Sequence, residues 1–269
     1  LTELTKNEYR QIAHHTMNLY QVEMGGLTQR SELVENSLLP TKTVKQRQMA
    51  IFVKNENLLK RIRIFSGQVK KVGVLNFASP IIPGGNFRNG INAQEQTLCR
   101  NTFLYPELLK FRRKYYYYHQ LNENRGFYSQ KMIVSQHVKV LRDESEKKYL
   151  QPAYYLDFVS MAAPDVSLMK QKGFAFSYSQ IKQAFISRII QILRAFKNLQ
   201  EDSLILGAFG CGDFQNDPYL VAEAFREVLR STEFNTTFAE VYFSILDPAQ
   251  AKIFSTILCN PPKRVLDEV

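Results

Sequence analysis

Near the start of the chain the apolar positions recur at helical intervals. Tyr9, Ile12, Ala13 and Leu19 fall on one face, and Thr5 stands three residues ahead of Glu8, the spacing of a capping box. An amphipathic helix is predicted over about residues 5–20. Residues 24–48 lose that period and carry the breakers Gly25-Gly26 and Leu39-Pro40, so they read as a loop or cap. Short apolar runs then alternate with longer helical patterns. Residues 50–53, 72–77, 132–135, 155–162, 204–209 and 241–246 have the length and bounding residues of buried strands. Between them, Ile181, Phe185, Ile189, Leu193 and Phe196 mark a helix over 180–199. Asp217-Pro218 offers an N-cap followed by proline at the first helical position, opening a helix to about Arg230.

Strands alternating with helices predict an α/β fold with a mixed, largely parallel central sheet and helices on both faces. No internal repeat and no linker rich in Gly, Ser or Pro divides the sequence. Residues 1–269 are therefore expected to form a single domain, its core at about 50–250, with an N-terminal helical extension. Segments 106–130 and 138–152 are more polar. Within the first, Lys110, Arg112, Arg113 and Lys114 precede the run Tyr115-Tyr116-Tyr117-Tyr118. Stacking and phosphate contact would suit a nucleic acid, but a helix dividing its tyrosines between core and surface is the simpler expectation.

Composition narrows the chemistry. Lys+Arg number 35 against 25 Asp+Glu, a net charge of +10, and 45% of residues are hydrophobic. Disorder and collagen-like architecture are excluded. No apolar run reaches membrane-spanning length, so no membrane partner is expected. The positive excess favours an anionic partner. Cys99, Cys211 and Cys259 are far apart, and His14, His15, His119 and His137 show no ligand spacing, so neither a metal nor a cofactor is expected. The cysteines read as reduced thiols in a cytoplasmic setting. The chain starts at Leu1 rather than Met, which leaves a preceding targeting segment open.

Two segments break the ordinary pattern. In the first, a buried strand bearing Asn76-Phe77-Ala78-Ser79 empties into Pro83-Gly84-Gly85-Asn86, and Gln94-Glu95-Gln96 opens the next helix. In the second, Gly207-Ala208-Phe209-Gly210-Cys211-Gly212-Asp213-Phe214-Gln215-Asn216 leads into Asp217-Pro218. Glycine-bearing loops at the carboxyl ends of parallel strands are where such sheets bind ligands, and a helix entrance offers backbone donors to phosphate. Neither segment is a Walker loop or a dinucleotide fingerprint.

Together, in order and spacing, these segments resemble the microbial poly(ADP-ribose) glycohydrolase type of macrodomain, over about residues 50–250. Ala162-Ala163-Pro164 matches a further strand-end element. The resemblance implies a three-layer α/β/α macrodomain with ADP-ribose in its cleft, and the net charge suits that diphosphate. By position, the Gly84-Gly85 loop would face the ribose joined to the substrate, and Asn76, Asn86, Gln94 and Gln96 would also bind the ligand. Gly210, Cys211 and Gly212 would cradle the diphosphate, with Phe214 against a ribose and Asn216 nearby. Tyr242 or Phe243 would border the adenine, unless both are core.

The sequence departs from that family at informative places. Asn86 replaces the third loop glycine, and Gln96 replaces the second glutamate, the expected acid. A neutral amide cannot donate and recover a proton at pH 7. Asp165 and Asp213 are carboxylates the family usually lacks. A guanidinium would account for them, because an arginine leaving group carries its own charge and pairs with carboxylates. The pattern resembles the MavL-like branch, which removes ADP-ribose from arginine.

The expected activity is release of mono-ADP-ribose from protein arginine, with Asp213, Glu95 and Asp165 in the catalytic set. Two alternatives remain: a glycohydrolase for O-linked or polymeric ADP-ribose with Glu95 as acid, and a reader without activity. The partners expected are ADP-ribose and an ADP-ribosylated protein. Nucleic acid ranks well behind them. If the chain is an effector, export into a host cytoplasm is the alternative location.

Overall fold

Thr5 caps the first helix as its spacing predicts. Its side chain accepts from the Glu8 N–H, and the Glu8 carboxylate accepts from the Thr5 N–H at 2.8 Å, opening α1 (Lys6–Glu23). The computed structural model describes residues 4–42, 48–144 and 148–259. The sheet strands are β1 (Arg30–Val34), β2 (Ala50–Asn55), β3 (Val72–Phe77), β4 (Met132–Asp143), β5 (Lys148–Met161), β6 (Ser203–Leu206) and β7 (Glu240–Ile245). They form one seven-stranded sheet in the order β1-β4-β5-β3-β6-β7-β2. The pairs β3–β5, β3–β6, β6–β7 and β2–β7 are parallel; β1–β4 and β4–β5 are antiparallel. The sheet is mixed and largely parallel.

Alternate residues along each strand bury into opposite layers, as the period of two requires. Leu75, Val159, Leu204, Leu206 and Phe243 pack on one side; Val74, Phe158 and Ile205 pack on the other. The first layer holds α7 (Tyr178–Asn198), α8 (Pro218–Leu229) and α9 (Pro248–Cys259). The second holds α1 with α2 (Leu58–Ser66), α3 (Gln94–Asn101) and α4 (Leu104–Leu109). Two short helices, α5 (Tyr118–Leu121) and α6 (Val166–Gln171), lie on connections. Asp217 caps α8 in agreement with the sequence pattern, and Ser177 caps α7, which starts at Tyr178, two residues ahead of the helix expected from the apolar spacing.

The structure corrects three expectations. The presumed loop 24–48 contains β1, an edge strand whose residues are all exposed or half-buried, so no apolar run announces it. Residues 43–47 of that segment lie outside the described residues. The wetter segment 138–152 is the long hairpin of β4 and β5, apart from 145–147, which are also outside the description. Register shifts between Ser135 and Val138 and between Val140 and Arg142 break its alternation, with His137 at φ +57°. Finally, β6 ends at Leu206, and residues 207–209 already belong to the loop.

Candidate active site

The carboxyl ends of all five parallel strands, β2, β3, β5, β6 and β7, open onto one cleft of about 800 Å³. This is where a parallel sheet presents loops and helix entrances to a ligand. β3 contributes one wall. Its chain leaves through Ala78 and Ser79 and turns at Gly84, Gly85 and Asn86, all with left-handed φ of +68°, +55° and +63°. Asparagine is the side-chain-bearing residue that tolerates this conformation best, which explains how Asn86 stands where the family pattern has glycine. At Gly85 nothing larger fits: a Cβ would lie 2.3 Å from Gln96 Nε2 and 3.0 Å from Glu95 Oε2.

Glu95 sits in the first turn of α3, lining the cleft yet only 3% exposed. Its Oε2 accepts from the Ser79 N–H at 2.9 Å and its Oε1 from Asn76 Nδ2 at 3.3 Å; the Gly84 N–H also donates to it. Those donors favour the carboxylate, but burial outweighs them and pushes its pKa up to about 8. Its neighbour Gln96 donates from Nε2 to the Gly85 carbonyl at 2.6 Å, clamping the loop. A glutamate there would set a carboxylate against that carbonyl. Gln94 spans strand and helix, accepting from the Phe77 N–H and donating to the Leu75 carbonyl.

β6 contributes the facing loop. Gly210 holds φ +74°, and a Cβ there would meet Ala163 Cβ at 2.6 Å. Asn216 is buried and donates to the Pro164 and Gly210 carbonyls at 2.7 and 2.8 Å, so it staples the loop from behind. The N–H groups of Gly212 and Asp213 make no hydrogen bond among the described residues, and both residues line the cleft. Phe214 lines the cleft half-buried. The thiol of Cys211 is buried, which raises its pKa, and points away from the lining.

The carboxylates divide by environment. Asp165 lines the cleft but is already engaged: it caps α6, accepting from the Leu168 N–H at 2.8 Å. Burial raises its pKa, its backbone donors oppose that shift, and the nearby charge of Asp213 adds to it. Asp213 is exposed, and its carboxylate has no partner among the described residues. Glu56 is paired with Arg61 at 2.8 Å. Among the described residues no lysine or arginine lines the cleft. The described cations lie outside that lining, so the net charge of +10 is not concentrated in the cleft.

Comparison with known proteins fits this geometry. The profile described as microbial-type PARG, catalytic domain, matches residues 1–143, more than half of the chain. The chain belongs to that family. No curated protein matches it. Among solved structures, poly(ADP-ribose) glycohydrolase from Thermomonospora curvata is 26% identical with a TM-score of 0.76, over 93% of this chain and 98% of that one. The form of that protein bound to the inhibitor ADP-HPD gives the same identity and TM-score. The Deinococcus radiodurans glycohydrolase in complex with ADP-ribose is 25% identical with a TM-score of 0.70, over 95% and 97% of the two chains.

In this member of the microbial PARG family, two buried guanidinium groups hold the walls. Arg188 has no acidic partner among the described residues; it donates to the carbonyls of Ala162, Ala184 and Phe127, and burial lowers its pKa to about 10. It thereby fixes the chain beside Ala163 and Tyr128, both of which line the cleft. Arg100 is fully buried and ties Ile91 and Asn92 of the opposite wall to Glu144.

Of the residues singled out in the sequence, the cleft brings together Gly85, Asn86, Gln94, Glu95, Gln96, Asp165, Gly210, Gly212, Asp213 and Phe214. Asn76, Gly84, Cys211 and Asn216 stand behind its surface as braces. Phe243 is fully buried, and Tyr242 packs on Phe52 beneath the Arg61 guanidinium, so neither borders the cleft. Missed were Tyr128, Asn57, Asp247 and Gln250. Asn57 caps α2 directly after β2, and Asp247 precedes Pro248 after β7, accepting from the Gln250 N–H. The signature that identified Asp217-Pro218 applied there too. No sequence signal marks Tyr128.

Buried carboxyls also set the pH dependence of folding. Glu95 and, at the opposite edge of the sheet, Glu201 have pKa values raised from 4.5 to about 8 and about 9, chiefly by burial. Below pH 4.5 both states hold these protons. As pH rises further the unfolded chain releases them first, so their contribution to stability falls through pH 8 for Glu95 and pH 9 for Glu201, then levels off. Thermal unfolding of Glu95→Gln should lose the part of this slope ending near pH 8, and Glu201→Gln the part ending near pH 9. An unchanged slope in both variants would contradict the assignment.

Proposed function

We propose that the chain hydrolyses the glycosidic bond joining a terminal ADP-ribose to its carrier, acting on O-linked or polymeric ADP-ribose with Glu95 as proton donor. The observation that carries this reading is Glu95 itself: a buried carboxyl, lining the cleft, that keeps its proton to about pH 8. A general acid works best with a pKa near the operating pH. Gln96, at the position of the family's expected acid, is committed to the Gly85 carbonyl and leaves that work to its neighbour. The glycohydrolases of the two bacteria supply the substrate class by their names, and the Deinococcus protein holds ADP-ribose.

In the proposed reaction the open N–H groups of Gly212 and Asp213 bind the diphosphate, and Glu95 protonates the leaving oxygen as the bond from the anomeric carbon breaks. Positive charge develops on the ribose, water adds to the anomeric carbon, and the proton it sheds restores Glu95. Turnover should therefore decline as pH rises above about 8. Free ADP-ribose should raise the melting temperature, since it binds only the folded cleft.

A second reading, arginine-linked ADP-ribose, is favoured by one observation. Among the described residues the cleft wall holds Asp165, Asp213 without a partner, and no cation, a setting suited to a guanidinium. Offering arginine-linked, serine-linked and polymeric ADP-ribose side by side separates the two. Release from polymer and serine, insensitive to Asp213→Asn, supports the first reading. Release from arginine alone, lowered about 10²–10⁴-fold by Asp213→Asn, supports the second. Binding of ADP-ribose without any release would leave the chain a reader.

A further inference from the structure

We propose that Arg112, Arg113, Lys114 and Tyr117 form a track that holds the part of an ADP-ribose polymer lying outside the cleft. The proposal rests on the reading of the cleft as an ADP-ribose site. Arg112–Tyr117 form a π-helical turn between α4 and α5, a wide turn often found at functional positions. It divides its residues sharply. Tyr115 and Tyr116 are buried, whereas Tyr117 is 55% exposed and Arg112, Arg113 and Lys114 all face solvent. Arg112 and Arg113 have no ion-pair partner among the described residues.

The track is continuous with the cleft. From α5, Gln120 Nε2 donates to the Ile81 carbonyl at 2.9 Å. Pro80 and Ile81 are themselves lining residues of the cleft. A polymer leaving over that wall would run toward α5 and the turn that precedes it.

Charge argues for the same occupant. The chain carries +10 overall, yet among the described residues no lysine or arginine lines the cleft. In a polymer of ADP-ribose only the end unit enters the cleft, and the following diphosphates and adenines stay outside. Free guanidinium groups beside an exposed tyrosine suit that alternation of phosphate and base, because every base offers a ring face for stacking.

The test uses the full chain carrying Glu95→Gln, which holds polymer without cutting it, with and without Arg112→Ala, Arg113→Ala and Tyr117→Ala together. All three side chains are exposed, so the fold is retained. The probes are a fluorescent ADP-ribose polymer of defined length, free ADP-ribose and an oligoadenylate RNA. The triple change should weaken polymer binding about ten-fold or more and leave free ADP-ribose unaffected. The slope of log affinity against log salt should shrink by about 1.4, for two lost phosphate contacts. Polymer bound no more tightly than free ADP-ribose, or bound equally by the triple variant, overturns the proposal alone. RNA binding as tight as polymer and indifferent to competing ADP-ribose also overturns it, and marks a nucleic-acid surface. Absence of free ADP-ribose binding removes the reading of the cleft, and the track with it.

Discussion

Replacing Glu95 by glutamine is expected to lower release of ADP-ribose by about 10²–10⁴-fold, the usual loss for a general acid. The change keeps side-chain length and can still accept from the Ser79 N–H, which holds Oε2 at 2.9 Å in the native protein. What it removes is the proton. Binding of free ADP-ribose should persist within a few-fold, because the open N–H groups of Gly212 and Asp213 are untouched. The variant should also be at least as stable as the native chain above pH 8, where the native carboxyl must ionise in its buried position. Near-native turnover with a native melting temperature would eliminate Glu95 as the acid. Equal loss of binding and turnover would show that its carboxyl serves to hold the ribose.

Glu144→Ala is expected to cause the largest loss of stability. Arg100 is fully buried and meets Glu144 in two bonds, Nε to Oε2 at 3.0 Å and Nη2 to Oε1 at 2.8 Å. It also donates to the Ile91 carbonyl and to Asn92 and Thr97, and lies 4.1 Å over the Tyr9 ring. Removing one partner of such a pair leaves an uncompensated buried charge, at a cost of about 3–5 kcal/mol. For a chain of this size each kcal/mol moves the melting temperature by about 2–4 °C, giving a fall of roughly 6–20 °C. Ile91, Asn92 and Thr97 line the cleft, so ADP-ribose affinity should weaken as well. Arg100→Met with Glu144→Leu should recover much of the stability, because a buried ion pair exchanged for apolar residues of similar bulk is often neutral. A fall of less than about 2 °C in Glu144→Ala would show that other groups satisfy Arg100.

Much of the architecture could be read before any tertiary information. Caps are local, so Thr5 and Asp217 begin their helices where short-range spacing places them. Buried parallel strands such as β3, which is apolar but for Asn76, announce themselves as runs. The edge strand β1 does not, since its residues are all exposed or half-buried. Nor does the irregular hairpin of β4 and β5, because each register shift breaks the period of two.

The motifs around Glu95 and Gly210 are equally local: a glycine turn and a helix entrance, each written in a few neighbouring residues. Their order along the chain, with the strands they follow, is enough to put both at one edge of a parallel sheet. Sequence by itself therefore determined the fold class, the capped helices and the two loops of the site.

Tertiary structure decided what each group there is able to do. The proton of Glu95 is held by burial, which outweighs the donors Asn76, Ser79 and Gly84 that favour the carboxylate. Asp165 and Asp213 are alike as letters, yet one caps α6 and the other has no partner among the described residues. The +10 charge is a property of composition, but its exclusion from the cleft is a property of packing. Burial, pairing and field are sums over residues distant in the chain, and spacing along the chain carries no record of them.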